Sequence, residues 1–295
     1  MLHEFYQNLP LVIDPIAFTI GSFAIRWYGI MYLIGFATVY LLLRLRIKKG
    51  EFPRAISHQL SVNKNRNQKN NDYSPVIVDN SFVLDFLLVT FLAALVGGRL
   101  GYVLFYNAAS FFAAPFSIIS PFDGEGKFIG IFGMSYHGAL VGIIFASYFF
   151  LKKNKISFLT WADFVIPAAA AGYFFGRIGN FLNGELYGRI TTSLIGMHFS
   201  ADRIFLRHPS QLYEAVLEGL LIAAVLWRMR NNSLPKGFLF GIYLVCYALI
   251  RIFVEQFRQP DSQLGFFWNY FTMGQILSSI MLMGGIFLLT LKNKK

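Results

Sequence analysis

Charged residues and cysteine are both scarce in this sequence of 295 residues. Only 14% of the residues are Asp, Glu, Lys or Arg, whereas 56% are hydrophobic. Soluble domains of this size carry roughly a quarter charged residues, so this is the composition of a membrane protein. The single cysteine, Cys246, lies inside an apolar segment. It cannot form a disulfide bond within the chain and is interpreted as a packing residue, which argues against a mechanism through an enzyme thiol.

The signatures of several other function classes are also missing. The glycine-rich stretch "GRIGNFLNG" follows no predicted strand and lacks the spacing of dinucleotide-binding and phosphate-binding loops. No G-x-S-x-G nucleophile motif is present, and no pair of His, Asp or Glu has the spacing of metal ligands. The N-terminal "MLHEFYQNLP" lacks the basic region that precedes the apolar part of a cleaved signal peptide. We therefore expect no cofactor and no metal.

Seven apolar segments are long enough to cross a bilayer, which takes about 20 residues of helix. These segments predict an all-α integral membrane protein with about seven transmembrane helices, formed by a single polytopic domain over residues 1–295. We place the segments at residues 20–43, 81–106, 130–151, 158–180, 211–230, 237–257 and 270–291.

The basic residues indicate how these helices are oriented. Of the 26 Lys and Arg residues, 17 lie on alternate predicted loops and at the C-terminus, and only five lie on the opposite loops. The positive-inside rule then places the N-terminus outside and the C-terminus in the cytoplasm. This distribution accounts for the net charge of +11 without a nucleic-acid partner. It also favours contact with anionic lipid headgroups.

Three long connections differ in composition. The predicted cytoplasmic loop 44–80 contains the stretch "SVNKNRNQKNNDYSP" at 61–75, which is polar and is predicted to be disordered. The outward-facing loops 107–129 and 181–209 contain aromatic and aliphatic residues instead. We expect these two loops to fold against the membrane as a small outward-facing head.

Ionisable residues within membrane helices are candidate functional residues, because burying a charge in lipid is costly. The predicted topology places eight of the ten such residues towards the outer leaflet, which predicts a polar site at that depth. Three of them are arginines, whose planar guanidinium groups suit phosphate, and one is a histidine, which titrates near neutral pH. The ten residues are Asp85, Arg99, His137, Asp163, Arg177, Glu185, Glu214, Glu218, Arg251 and Glu255.

Several of these residues also have a plainer interpretation. Arg99 and Glu218 are equally well explained as a buried ion pair or as side chains that reach the interface, and Asp85 and Asp163 as structural residues near the cytoplasmic surface. A lone histidine such as His137 is usually a satisfied core residue. For the whole site, the alternative function is transport of an anion or a lipid, with the arginines as a selectivity element. That function predicts a midplane site and internal repeats, and neither is evident.

The stretch "GRIGNFLNGELYGR" at 176–189 resembles the signature of the prolipoprotein diacylglyceryl transferase family, whose members are bacterial inner-membrane enzymes. One departure is "HGAL" at 137–140, where the family commonly has a second glycine in place of Ala139. The resemblance extends over nearly the whole chain and includes "RWYGIMYLIGF" (26–36), "GGRLGYVLFYN" (97–107), "GMSYHGALVG" (133–142), "RHPSQLYEAVLEG" (207–219), "YALIRIFVEQFRQPD" (247–261) and "MGQILS" (273–278).

This resemblance implies a function and a location. Members of the family transfer the diacylglyceryl group of phosphatidylglycerol to the lipobox cysteine thiol of a prolipoprotein and release glycerol phosphate, which is the first step of lipoprotein maturation. The implied location is the bacterial cytoplasmic (inner) membrane, where a multi-pass protein with a periplasmic head would have its active site towards the periplasm. We expect these two substrates as the partners, no nucleic acid, and a monomeric protein.

The resemblance also implies roles for individual residues. His137, Arg251 and Tyr247 are implied to be catalytic, with His137 as the base that activates the thiol. Arg177 is implied to bind the headgroup phosphate, and Glu255 is expected to orient Arg251. Together with Arg177 and Glu255, the predicted substrate-binding residues are Tyr28, Arg99 and the signature positions Asn180, Glu185 and Gly188.

Overall fold

The computed structural model describes residues 2–21, 23–52, 78–106, 133–231, 234–260 and 270–291, and most of these residues are helical. The helices are α1 (Leu2–Val12), α2 (Trp27–Lys48), α3 (Asn80–Tyr106), α4 (Tyr136–Lys153), α5 (Phe158–Leu182), α6 (Ser210–Glu214), α7 (Ile222–Met229), α8 (Phe238–Val254) and α9 (Met273–Leu291). A π-helical segment, Ala215–Leu221, joins α6 to α7 without a break. The strands are β1 (Ile16–Ile20), β2 (Phe23–Arg26), β3 (Met197–Phe199) and β4 (Asp202–Arg207).

The chain forms two compact units. The first comprises Met1–Arg46 and Leu159–Lys295, and the second comprises Ile47–Phe158. The first unit contains both hairpins and most of the helices, and the second contains α3 and α4. The predicted disordered stretch 61–75 and the predicted outward-facing loop 107–129 lie outside the described residues.

Four helices are long and apolar enough to cross a membrane: α2, α3, α5 and α9. At most 33% of the residues in their most apolar windows are buried within the protein, so most of this apolar surface is left for lipid. A helix is suited to this position because it satisfies all its backbone hydrogen bonds internally. The protein is therefore a mostly helical, multi-pass membrane protein. Helix α8 is apolar but shorter, so the count of about seven transmembrane helices stays a prediction.

Two antiparallel hairpins interrupt the helical pattern, and the sequence analysis did not predict them. The first predicted apolar segment began at residue 20, but residues up to Arg26 belong to the β1–β2 hairpin and the helix begins only at Trp27. The β3–β4 hairpin folds the connection 181–209, where Met197 and Phe199 pack with Phe181 of α5. The reason for the error is that short hairpins of aromatic and aliphatic residues have the same hydropathy as a helix end.

Close helix contacts in both units depend on small residues. In the second unit, Gly97 and Gly101 of α3 face Gly138 and Gly142 of α4, and a Cβ added at Gly101 would lie 2.7 Å from the Cα atom of Gly138. In the first unit, a Cβ added at Gly219 would lie 2.9 Å from the Cα atom of Phe174, so the π-helical segment touches α5 directly. Small residues allow such backbone contacts between helices in lipid.

The start of α8 is held by α5. The carboxylate of Asp163 accepts hydrogen bonds from the backbone N–H groups of Gly237 and Phe240, the latter at 2.8 Å. The buried cluster of Ala170, Ile222 and Leu226 lies between α5, α7 and α8. Since α5, the run Ser210–Met229 and α8 are packed together in this way, their polar residues are brought to one place.

We expect Gly142→Val to destabilise the second unit by about 2 kcal/mol, because its Cβ would overlap the carbonyl oxygen of Ala93 and force α3 and α4 apart. Thermal unfolding in detergent measures the change, with far-ultraviolet circular dichroism reporting both units and the reaction of Cys246 with a thiol dye reporting the first unit alone. The control is Gly284→Val on α9, where an added Cβ meets no atom within 4 Å. Equal unfolding temperatures for the two variants would contradict the glycine contact.

Candidate active site

The candidate active site is a cluster of buried charged residues on α5, the run Ser210–Met229 and α8, all in the first unit. Two pairs of its members are four residues apart in the sequence, which places both residues of a pair on one face of the helix. The pair on the second element is Glu214 and Glu218, and the pair at the end of α8 is Arg251 and Glu255. All four are buried. Charges in such a position need partners of the opposite sign.

Arg251 is surrounded by the three glutamates. Its Nη1 atom lies 3.1 Å from Oε1 of Glu214 and 3.7 Å from Oε1 of Glu218. Its Nη2 atom lies 3.1 Å from Oε2 of Glu255, one helical turn further along α8. Glu255 and Arg251 are thus in contact, and that Glu255 orients Arg251 stays a prediction. With acids on both edges, the guanidinium plane of Arg251 is fixed.

Arg177 on α5 shares Glu214 with Arg251. Its Nε atom lies 2.8 Å from Oε2 of Glu214 and donates to the hydroxyl of Tyr173 at 2.6 Å. Its Nη1 atom donates to Oδ1 of Asn180 at 3.3 Å. Among the described residues, these contacts leave the Nη2 atom of Arg177 without a protein acceptor. Arg177 is therefore held on one side and open on the other.

A third arginine, Arg258, completes the cluster. Its Nε atom lies 3.7 Å from Oε1 of Glu214, and its Nη1 atom lies 3.8 Å from Oε1 of Glu255. Glu255 also accepts a hydrogen bond from the hydroxyl of Thr272 at 3.0 Å. The three arginines balance the three glutamates in charge. Glu214 contacts all three arginines and is the centre of the cluster.

The acids and the arginines are buried to different depths. The three glutamate side chains retain at most 2% of their accessible surface, whereas Arg177, Arg251 and Arg258 retain 15%, 10% and 11%. An approaching ligand therefore meets the guanidinium groups before the carboxylates. This arrangement suits an anion, and in particular a phosphate, which accepts hydrogen bonds from a guanidinium fork.

The signature residues that follow Arg177 form a chain of hydrogen bonds that begins at its guanidinium group. Asn180, which accepts from Arg177, donates through Nδ2 to Oε1 of Glu185 at 2.8 Å. The backbone carbonyl of Glu185 in turn accepts from the side chain of Gln211 at 2.5 Å. Gly184 has φ +69°, which lets the chain turn out of α5. The structure therefore brings Asn180 and Glu185 close to Arg177, with Asn180 as a partner of its guanidinium group and Glu185 as the partner of Asn180.

Gly188, in the same segment, is held by backbone contacts that leave no room for a side chain. Its backbone N–H donates to the carbonyl of His208 at 2.7 Å, and it pairs with Arg258 as an isolated antiparallel bridge. A Cβ added at Gly188 would overlap the carbonyl oxygen of Phe257. Only glycine fits there without moving the chain that carries Arg258.

The two predicted tyrosines lie at different distances from the cluster. The hydroxyl of Tyr247 is 3.4 Å from that of Tyr173, and the two rings meet edge to face. Tyr28 on α2 bonds to the hydroxyl of Tyr32 at 3.1 Å, and its ring lies close to Gly179 of α5. Both tyrosines thus border the helix that carries Arg177.

The other two predicted residues belong to the second unit. His137 is exposed in the first turn of α4, whose N-terminus is capped by the side chain of Ser135. The Nη1 atom of Arg99 donates to the carbonyl of Gly133 at 3.2 Å, and its guanidinium lies over the ring of Tyr102. That His137 and Arg99 act together with Arg177 and Arg251 stays a prediction.

Four residues in or beside the cluster were not assigned to the site from the sequence. Glu214 and Glu218 were candidate ionisable residues without an assigned role, and Tyr173 and Arg258 had no predicted role. The signal was helical spacing: Tyr173 precedes Arg177 by four residues, and Arg258 follows Glu255 by three. Among the described residues, no group of three His, Cys, Asp or Glu side chains has an arrangement that would hold a metal ion.

Comparisons with known proteins agree over most of the chain. A family model described as "Prolipoprotein diacylglyceryl transferase" matches residues 15–291. A protein of Chlorobaculum tepidum named phosphatidylglycerol–prolipoprotein diacylglyceryl transferase is 43% identical over 285 residues, which are 95% of this chain and 90% of that protein. Proteins with the same name are 40% identical in Desulfotalea psychrophila, over 95% of this chain and 93% of theirs, and 39% identical in Rickettsia bellii, over 94% of both.

We expect Glu214→Gln to lower the stability of the protein by about 3 kcal/mol, because it removes the carboxylate that three buried arginines share. The thermal unfolding assay with Cys246 measures this loss. Asp85→Asn serves as the control, since it removes an exposed carboxylate from an apolar helix. If Glu214→Gln unfolded at the same temperature as Asp85→Asn, Glu214 would not be the centre of the cluster.

Proposed function

We propose a function in protein lipidation for this chain, which belongs to the prolipoprotein diacylglyceryl transferase family. The resemblance seen in the sequence motifs is thereby confirmed. In the proposed reaction, the chain transfers the diacylglyceryl group of phosphatidylglycerol to the lipobox cysteine thiol of a prolipoprotein. The alternative of an anion or lipid transporter is not favoured, because the relatives carry the name of a transferase.

The observation that carries the proposal is the cluster of arginines in an apolar helical protein. Phosphatidylglycerol presents a phosphate diester at the membrane surface, and Arg177 has a donor, Nη2, that no acceptor among the described residues occupies. Arg177 and Arg251 are held by buried acids, so they do not have to reorganise when charge develops on a bound phosphate. Preorganised donors in a low-dielectric site are the strongest form of such stabilisation.

The proposed chemical step is a displacement at a saturated carbon. The thiolate of the acceptor attacks the glycerol carbon that is bonded to the phosphate oxygen. The C–S bond forms as the C–O bond breaks, and glycerol phosphate leaves with the bonding electron pair. Negative charge then grows on the leaving phosphate, where Arg177 and Arg251 neutralise it. No oxyanion hole for a tetrahedral intermediate is needed.

A base assists this step because only the thiolate is a good nucleophile, and an unperturbed thiol has a pKa of about 8.5. We assign this role to His137, because histidine is the side chain that most often acts as a general base. We also assign a catalytic role to Tyr247, which precedes Arg251 by one helical turn. Tyr28, Arg99, Asn180, Glu185, Gly188 and Glu255 are assigned to substrate binding, directly or by holding the arginines.

We further propose the topology and location of the protein. About seven transmembrane helices form one domain, with the N-terminus outside, the C-terminus and the loop 44–80 in the cytoplasm, and the active site towards the periplasmic side of the inner membrane. The four long apolar helices and the alternation of basic loops support this arrangement. The outward-facing loops 107–129 and 181–209 would then form the periplasmic head, and the protein would act as a monomer.

We expect Arg177→Lys to lower the rate of transfer by at least about 100-fold, because lysine keeps the charge but loses the fork that binds a phosphate. The assay contains purified protein in detergent, phosphatidylglycerol and a synthetic signal peptide with one lipobox cysteine. The intact mass of the peptide and the released glycerol phosphate report the reaction. Arg203→Lys, an exposed substitution on β4, is the control and should transfer at the wild-type rate.

Two outcomes of this assay would contradict the proposal in different ways. If well-folded wild-type protein produced no diacylglyceryl mass gain on the peptide, the transferase function would be wrong for this chain. If the wild type reacted and Arg177→Lys reacted equally fast, the function would stand, but the assignment of Arg177 to the phosphate would not.

A further inference from the structure

We propose that Tyr173 is a positioning residue, whose hydroxyl fixes the orientation of Arg177 towards the lipid phosphate. This inference rests on the proposed function, since it concerns how the same site holds phosphatidylglycerol. Tyr173 lies on α5, one helical turn before Arg177, and has none of the roles assigned above. It acts through Arg177 and does not itself contact the reacting atoms.

The hydroxyl of Tyr173 lies between a cation and an anion. It accepts a hydrogen bond from Nε of Arg177 at 2.6 Å and donates one to Oε2 of Glu218 at 2.5 Å. Hydrogen bonds to charged groups are shorter and stronger than those between neutral groups. One neutral hydroxyl therefore links Arg177 of α5 to Glu218 of the π-helical segment, two residues that have no direct ion pair.

The aromatic ring of Tyr173 restricts Arg177 as well. The guanidinium carbon of Arg177 lies 4.8 Å from the centre of that ring, within the range of a cation–π interaction. The ring also meets the ring of Tyr247 edge to face, with 5.9 Å between the ring centres. The ring and the hydroxyl of Tyr173 together restrict rotation about the side-chain bonds that orient the Nη2 atom of Arg177.

The hydroxyl of Tyr173 also affects which arginines the buried glutamates contact. Glu218 is fully buried, and its nearest cation is Nη1 of Arg251, at 3.7 Å. Tyr173 supplies the close donor that Glu218 needs and adds no charge. Without this donor, Glu218 would compete with Glu214 for the arginines. Arg177 would then be drawn towards the acids and its Nη2 edge away from the lipid.

The test is Tyr173→Phe, which removes the hydroxyl and keeps the ring. We expect the KM for phosphatidylglycerol to rise about tenfold, the usual effect of losing a hydrogen bond to a charged group. The kcat should fall as well, because Arg177 is no longer aligned with the leaving phosphate. The KM for the signal peptide should stay within about twofold of wild type, because the acceptor thiol does not depend on Arg177 for binding. Tyr148→Phe on α4 makes the same chemical change where the hydroxyl has no hydrogen-bond partner among the described residues.

Equilibrium binding separates this inference from the proposed function. Brominated phosphatidylglycerol in detergent quenches tryptophan fluorescence on binding, and brominated diacylglycerol with the same acyl chains is the reference without a phosphate. Tyr173→Phe should bind phosphatidylglycerol about tenfold more weakly than Tyr148→Phe, the loss expected for one such hydrogen bond. Its affinity for diacylglycerol should not change.

Each outcome bears on one claim. Wild-type affinity and wild-type KM in Tyr173→Phe would overturn the inference. So would a loss in which the KM values for both substrates and the unfolding temperature change together, since that is the result of a merely structural role. If the wild type and Tyr148→Phe bound the lipid but transferred nothing, the proposed function would fail, while the difference in lipid affinity would still decide the role of Tyr173.

Discussion

The sharing of three buried glutamates among three arginines is the interaction on which the site depends. Burying an isolated charge in an apolar helical protein costs roughly several kcal/mol of free energy, even after relaxation of its surroundings. Here each guanidinium group has a carboxylate within 4 Å, and Glu214 serves all three arginines. Such sharing is possible only because α5, the run Ser210–Met229 and α8 lie in close contact. The glycine at position 219 allows that contact on one side, and the capping of α8 by Asp163 fixes it on the other.

The same arrangement explains how a charge-balanced cluster would act on an anion. The carboxylates lie deeper than the guanidinium groups, so a phosphate would approach the positive side of each pair without displacing the acids. Arg177 illustrates this division, because Nε and Nη1 face protein acceptors, whereas Nη2 faces none within the part of the chain that the structure describes. The acids would orient the arginines before the lipid arrives, which is the condition for stabilising charge that appears only in the transition state.

Much of the cluster was predictable from the sequence, because burying a charge in an apolar segment is unfavourable in free energy. A charged residue such as Arg177, Arg251 or Glu255 in an apolar segment requires an explanation, and the signature motif added Asn180 and Glu185. Tyr173 gave no such signal, because a tyrosine in an apolar helix is ordinary. Neither the β1–β2 hairpin nor the π-helical segment was predicted, since both keep the hydropathy of a helix and differ only in backbone pairing.

The most direct test of the account is an experimental structure of the protein with phosphatidylglycerol bound. We expect phosphate oxygens within hydrogen-bond distance of the Nη2 atom of Arg177, with Glu214 still bridging Arg177 and Arg251. A lipid phosphate bound elsewhere, with the guanidinium groups of both arginines turned only towards the glutamates, would contradict it. In that case the cluster would be a structural device of the fold, and the phosphate site would have to be sought on other residues.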